Sequence, residues 1–461
     1  IAVKVGGKND PSETTGLAHY FEHLMFKGSQ NFGTTDYAAE KPLLDEIEAL
    51  FEVYRNTTDE AERAAIYHKI DSISYVASGY AIPNEYDKLM SVIGANGTNA
   101  YTSTDMTVYV EDIPSNQIEN WARVEADRFM NPVIRGFHTE LETVYEEKNM
   151  SLTRDFRKAL EAMDGMLFPD HPYGTQTVLG TQEHLKNPSI TNIKNYHKTY
   201  YVPNNMAICL SGDFDPDEMV GIIEKYFGQM EPNKDLPQLK LETKSVIETP
   251  QEKDVYGLDA ETLMMGWKYP GAGTDDALVA SVVSYILYNG SAGLIDLDLN
   301  QQQKVLGAQS EAYTRPDAGE FILMANPKQG QTLEQVRDLL LAEIAKLRNG
   351  EFDEALLTGT INNLKLQQMK ISSSWPLIAV ILFSWAIAFF EYIAQVPANR
   401  IGFDGNGGPF NLMQLKVIQE VISLTVFTLM VTVMFKGQPL QWNHIVAFCC
   451  LIMAVFFVFL K

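Results

Sequence analysis

Three stretches near the C-terminus carry no charged side chain: residues 375–390, 421–435 and 445–460. Each is shorter than the ~20 apolar residues that cross a bilayer. Tyr392, Ile393, Ala394, Val417 and Ile418 can extend the first two, and Trp375, Trp442, Lys436 and Lys461 stand at run ends, where interfacial anchors belong. So much apolar surface in so short a segment leaves too little polar surface for a water-soluble fold. The expectation is an all-α transmembrane segment of three helices over 373–461. Glu391 and Glu420 border these runs and His444 neighbours Trp442. They read as interfacial residues, with an intramembrane functional carboxylate at Glu391 or Glu420 as the alternative.

The body of the chain has a different character. Beyond residue 370 there are four basic residues (Arg400, Lys416, Lys436, Lys461) and three acidic ones (Glu391, Asp404, Glu420), so residues 1–370 hold 32 basic and 56 acidic side chains. Such a body repels phosphates, which argues against nucleic acid as a partner. The three cysteines, Cys209 and the adjacent Cys449 and Cys450, are too few for a disulfide framework and lack structural-zinc spacing. Ile1-Ala2-Val3-Lys4-Val5 reads as a strand rather than as a signal peptide.

Periodicity and punctuation give an α+β pattern. Thr14 or Thr15 is expected to cap a helix over 16–28. Residues 37–90 read as helical, with Leu43, Leu44, Ile47, Leu50 and Phe51 on one face and a restart at Thr58-Asp59-Glu60. An extended segment is expected over 98–110, helices over 115–130 and 138–165, and a strand over 201–210. Residues 231–252, rich in Pro, Lys, Glu and Thr, read as a linker. A second α+β unit then follows: strands over 261–268 and 320–325, and helices over 275–289, 332–348 and 353–370.

His19-Tyr20-Phe21-Glu22-His23 falls on the first of these helices. Residues four apart lie one turn apart on the same face, so both imidazoles can converge on one cation. Neutral imidazole nitrogens suit Zn²⁺, and three protein ligands leave a fourth position for water. Glu22 is placed to reach that water rather than the metal. It is the expected general base, taking a proton as the water attacks a carbonyl and passing it to the leaving amine. The order His-x-x-Glu-His is that of the reversed zincins. A bare pentapeptide could equally be two histidines solvating a helix face. Its surroundings, Asp10-Pro11, Gly16-Leu17-Ala18 and Leu24-Met25-Phe26-Lys27-Gly28, argue for the metal reading.

The stretch 10–28 resembles the pitrilysin/insulinase family of zinc endopeptidases, which includes the mitochondrial processing peptidases. Further matches follow in order: Gly97-Thr98-Asn99-Ala100-Tyr101-Thr102, the acidic run from Glu140 to Glu147, His171-Pro172-Tyr173-Gly174, Tyr201-Val202-Pro203-Asn204-Asn205 and Gly212-Asp213-Phe214. The resemblance covers 1–230 well and 255–370 more loosely. It implies one Zn²⁺ per chain held by His19, His23 and Glu147, with Glu22 as base and Glu140 supporting the site from behind. Glu147, seven residues from Glu140, shares its helical face, whereas Glu146 points about 100° away. It also implies that Asn99, Ala100, Tyr101 and Thr102 pair with an extended peptide or unfolded protein substrate as an added strand.

The implied fold is two pitrilysin-like α+β sandwich units, catalytic over 1–230 and incomplete over 253–370. Residues 40–90 are expected to be an inserted helical hairpin that decorates the surface. A homodimer or partner lobe is expected to close the cleft. The tail resembles a small, uncharacterised bacterial integral membrane family related to drug/metabolite transporters, carried by Trp375-Pro376-Leu377-Ile378, residues 394–402 and residues 411–416. The expectation is therefore a fusion or chimera of two families joined near 370–373, both cut short, associated with a bacterial cell envelope. The function expected is zinc-dependent endopeptidase. The alternatives are a catalytically silent peptide-binding subunit and a membrane protein whose activity lies in the tail.

Overall fold

The computed structural model describes residues 1–237, 241, 243 and 245–368, and in the tail 400, 401, 403, 407–411 and 414. The three apolar runs, the expected junction at 370–373, Glu391, Glu420 and His444 lie outside the described residues. Among the described residues no helix is long and apolar enough to cross a membrane. The chain divides into two compact units, 1–360 and 361–461. Within the second, Phe403 and Phe410 form a parallel bridge. Asn411 N–H donates to Gln414 Oε1 (3.1 Å) and Gln414 N–H to Asn411 Oδ1 (2.9 Å).

The first unit opens with strand β1 (Ala2–Val3) and helix α1 (Leu17–Leu24), followed by α2 (Tyr37–Asn56), α3 (Glu60–Ser78) and α4 (Glu85–Val92). A hairpin of β2 (Asn96–Thr102) and β3 (Thr107–Asp112) leads to α5 (Ile118–Met130), α6 (Phe137–Leu152), α7 (Asp155–Leu167), the short α8 (Pro172–Thr175) and α9 (Gln182–Leu185), then α10 (Ile190–Tyr200), β4 (Met206–Ala207) and α11 (Pro216–Phe227). The later part holds β5 (Leu263–Pro270), α12 (Asp275–Leu287), β6 (Gly307–Thr314), β7 (Ala318–Asn326), α13 (Leu333–Asn349) and α14 (Glu354–Gln368). Two antiparallel sheets result, ordered β2-β3-β1-β4 and β5-β7-β6.

Register decides which side chains enter the core, because successive strand residues face opposite sides. Ala100 opposes Tyr109 and Thr102 opposes Thr107. Buried Tyr109 packs edge-on against Phe129, at 5.2 Å between ring centroids, and Phe21 of α1 meets Tyr201 at 4.8 Å. A second cluster, including Leu287, Leu323, Val336 and Leu340, fills the space over the three-stranded sheet. A third, including Met163, Leu167, Phe168, Tyr173, Ala318 and Ile322, ties α7 and α8 to β7.

Several sequence expectations are corrected. Neither Thr14 nor Thr15 caps α1. Asp10 does so, accepting from the N–H groups of Gly16 (2.7 Å), Leu17 (3.1 Å) and Ala18 (2.9 Å). Gly16 holds φ +88°, and a Cβ there would lie 2.9 Å from Leu179 O, so the turn demands glycine. The α-helix ends at Leu24 and tightens into a 3₁₀ turn over Met25–Lys27. The 98–110 segment is two strands because Ser103 Oγ accepts from the N–H groups of Asp105 and Met106, folding a turn between them. The 138–165 helix breaks between α6 and α7. The 201–210 strand shrinks to β4, since Pro203-Asn204-Asn205 forms a 3₁₀ turn. The hairpin of α2 and α3 does more than decorate the surface: Ile47, Phe51, Ile70 and Ala77 are buried in the main core.

Candidate metal centre

The site rests on two helices. α1 presents His19 and His23 one turn apart, and α6 crosses it with Glu140 and Glu147 on the facing side. Tyr20 locks the crossing by donating its hydroxyl hydrogen to Phe137 O at the start of α6. His19 Nε2 and His23 Nε2 lie 3.3 Å apart, and Glu147 Oε2 is 3.5 Å from each. Ligand atoms around a tetrahedral ion with bonds of ~2.0–2.1 Å are separated by ~3.3–3.4 Å. The spacing of the three donors matches that of ligands around one tetrahedral ion. They form the one His/Cys/Asp/Glu group among the described residues with metal-binding geometry. Glu146 interacts instead with Asn149 Nδ2 at 3.3 Å, leaving Glu147 to face the histidines.

The surroundings fix which nitrogen of His23 faces the cluster. His23 Nδ1 donates to Glu140 Oε1 at 2.9 Å, which orients the ring so that Nε2 faces the cluster. Glu140 Oε2 is held by Lys27 Nζ. Burial works against ionised Glu140, but the bonds from His23 and Lys27 outweigh it and hold its pKa below the usual value. His19 is pushed down to about 4, first by burial and then by the His23 charge, so it is a neutral donor at physiological pH. Its Nδ1 is buried without a partner. His23 goes the other way: burial lowers its pKa, and the Glu140 bond with the neighbouring carboxylates more than restores it.

Glu22 is buried beside this cluster. Burial raises its carboxyl above the ordinary range, and a hydrogen bond donated by Thr102 Oγ1 to Oε2 pulls partly the other way. Thr102 ends β2, an edge strand of its sheet. Asn99 and Tyr101 are exposed on it, while Ala100 and Thr102 are half-buried. Sequence reasoning placed Thr102 among peptide contacts and missed its bond to Glu22. It also missed Lys27, although that residue follows His23 by one helical turn. A cavity of about 320 Å³ opens elsewhere, between the α2–α3 hairpin and the 132–139 segment, and contains none of the motif residues.

Comparison with known proteins is consistent with this geometry. Residues 1–44 match the family model described as "Insulinase (Peptidase family M16)", and residues 189–364 the one described as "Peptidase M16 inactive domain". Residues 361–459 match "Putative member of DMT superfamily", so the two kinds of match meet at 361–364, ahead of the expected junction. The chain is 23% identical over 417 residues to "Zinc protease PqqE" of Helicobacter pylori, covering 86% of this chain and 78% of that protein. It is 26% identical over 236 residues to "Probable mitochondrial-processing peptidase subunit beta" of Schizosaccharomyces pombe, covering 50% of this chain and 40% of that one. The crystal structure of a protease from Helicobacter pylori shares the fold with a TM-score of 0.62 at 20% identity, over 80% of this chain and 78% of that one. The matches support homology to the M16 zinc proteases of the pitrilysin/insulinase type and a pitrilysin-like mixed α/β fold.

Proposed function

We propose that this chain is a zinc-dependent metalloendopeptidase acting on extended peptides or unfolded proteins, with one Zn²⁺ held by His19, His23 and Glu147. The observation that carries the reading is the triangle of 3.3, 3.5 and 3.5 Å between their donor atoms. A bound zinc ion would supply Lewis acidity at the fourth position. Glu22, raised by burial, takes a proton from the attacking water and returns it to the leaving amine. Glu140 orients His23, and Lys27 orients Glu140. The free edge of β2 offers its backbone to a peptide as an added strand along Asn99–Thr102. A second copy or partner lobe covering the cleft belongs to the same reading.

The decisive test uses the full chain: zinc stoichiometry, and cleavage of quenched peptides with and without a chelator. Glu22→Gln should keep its zinc and lose hydrolysis, and wild-type turnover in that variant would exclude Glu22 as the base. A silent peptide-binding subunit is the second reading, favoured by the description of the 189–364 match as an inactive domain. Zinc bound without any turnover would select it. We propose further that the chain is a fusion of two families attached to a membrane in a cell envelope; what supports the fusion is the separate family match of residues 361–459. Release of the chain from membranes by alkaline carbonate would refute attachment, and separate intact genes at the source locus would refute a natural fusion. Loss of a membrane-linked phenotype on deleting the tail, with peptide cleavage unchanged, would place the biological activity in the tail.

A further inference from the structure

The β6–β7 turn, Arg315 to Asp317, reaches from the half of the chain that carries no metal donor to the hairpin that holds Glu22. Lys8 Nζ lies between two carboxylates, 2.6 Å from Asp105 Oδ1 and 2.8 Å from Asp317 Oδ2, and all three side chains are nearly buried. Tyr173 donates its hydroxyl to Asp105 (2.9 and 3.1 Å) while accepting from Asp317 N–H (3.2 Å). Asp105 belongs to the turn between β2 and β3, and the backbone of that turn is gripped as well: Gly7 N–H donates to Ser103 O and Lys8 N–H to Thr104 O, each at 3.0 Å. Immediately before Ser103, at the head of the same turn, Thr102 holds Glu22. Arg315 anchors the other end, stacking 4.1 Å over the Tyr173 ring and bonding Asp164 at 3.1 Å.

We propose that Asp317 is a positioning residue for catalysis, fixing through Lys8, Tyr173 and Asp105 the turn that sets Thr102 against Glu22. The proposal rests on the peptidase reading above and extends it to a region matched to a domain described as inactive. The physical reason is local. A buried ammonium between two carboxylates keeps one geometry only while both anions are present, since removing one leaves charge imperfectly paired away from water. Tyr173 and the two backbone bonds from Gly7 and Lys8 hold the turn as well, and Asp317 acts on it by fixing Lys8 and, through its N–H, Tyr173. A base misplaced by a fraction of an ångström costs turnover rather than zinc.

The experiment compares the full wild-type chain with Asp317→Asn and Asp317→Glu. For Asp317→Asn the expectation is unchanged zinc per chain, kcat per bound zinc about tenfold lower and KM changed by less than about threefold. Asp317→Glu, which keeps the anion, should recover most of the loss. Amide hydrogen exchange should quicken across residues 96–112 in Asp317→Asn and stay unchanged in α13. Turnover within twofold of wild type, unchanged exchange over 96–112, or loss of zinc together with general loosening would each overturn the proposal. Should wild-type protein neither bind zinc nor cleave peptide, the peptidase reading fails and the catalytic role with it. The exchange comparison then reports the structural link alone.

Discussion

Thr102 donates its hydroxyl hydrogen to Glu22 Oε2, joining the last residue of an edge strand to the acidic residue between two histidines. That bond favours the ionised carboxylate, while burial opposes it. Thr102→Val removes the donor at nearly constant volume, so the Glu22 pKa should rise further. A general base must be ionised to act, and the acid limb of kcat/KM against pH should therefore move to higher pH. Turnover at neutral pH should fall about tenfold with zinc content unchanged. A pH profile superimposable on wild type would show that Thr102 does not tune Glu22.

Glu147 and Glu146 provide an internal control for the metal site. Glu147→Gln keeps shape but weakens the anionic donor 3.5 Å from both histidines, so zinc affinity should drop by well over tenfold. Glu146→Gln, at a carboxylate that accepts from Asn149 and does not face the histidines, should leave affinity within about twofold. Zinc retention against a competing chelator reads both.

Much of this arrangement is legible in the sequence, for stated reasons. His19 and His23 converge because helical period alone brings positions four apart together. Glu147 over Glu146 follows from the same period, counted from Glu140. What is not legible comes from side chains that act across space. Asp10 replaces Thr14 and Thr15 as the cap because the loop folds its carboxylate back onto three N–H groups, a tertiary event without a local pattern. Ser103 splits one β-rich run into a hairpin by a side-chain turn that propensity does not weigh. Phe51 and Ile70, taken for parts of a surface insertion, are buried because α2 packs against the start of α6, where Phe51 meets Phe137 at 4.8 Å.

The same hairpin supports α1 and α6 through a buried ion pair. Arg135 Nε donates to both oxygens of Glu40, at 2.7 and 2.9 Å, while its other nitrogens bond the carbonyls of Lys27, Ser29 and Phe32. One guanidinium thus holds the exit of α1, the entry to α6 and α2 together. Glu40→Gln strands a buried cation, and such losses cost about 3–5 kcal/mol. Chemical denaturation should show that fall in unfolding free energy. A double Glu40→Leu, Arg135→Met variant should recover part of it, because both charges then leave together.

Arg315 lies between two buried or half-buried carboxyls, 3.1 Å from Asp164 Oδ1 and 3.4 Å from Glu320 Oε1, and burial pushes both carboxyl pKa values up, so a proton is retained at this pair well above the ordinary carboxylate range. Burial, then the Asp164 charge, raises Glu320 to about 8. In the unfolded chain the same group ionises near the ordinary value of 4.5. Between those values the unfolded state has released a proton that the folded state retains, so rising pH favours unfolding. The stability this proton confers is fully present below the unfolded value and lost as pH climbs through the folded one. The wild-type unfolding free energy should therefore decline by a few kcal/mol (about 1.4 per unit of displacement) from pH 5 to pH 8. Glu320→Gln can still donate to Asp164 but has no proton to lose. Its stability should fall less steeply than that of wild type over this window, the remaining slope coming from other raised carboxyls such as Asp10, which burial pushes up to about 8. Equal slopes for the two proteins would show that Glu320 does not hold this proton.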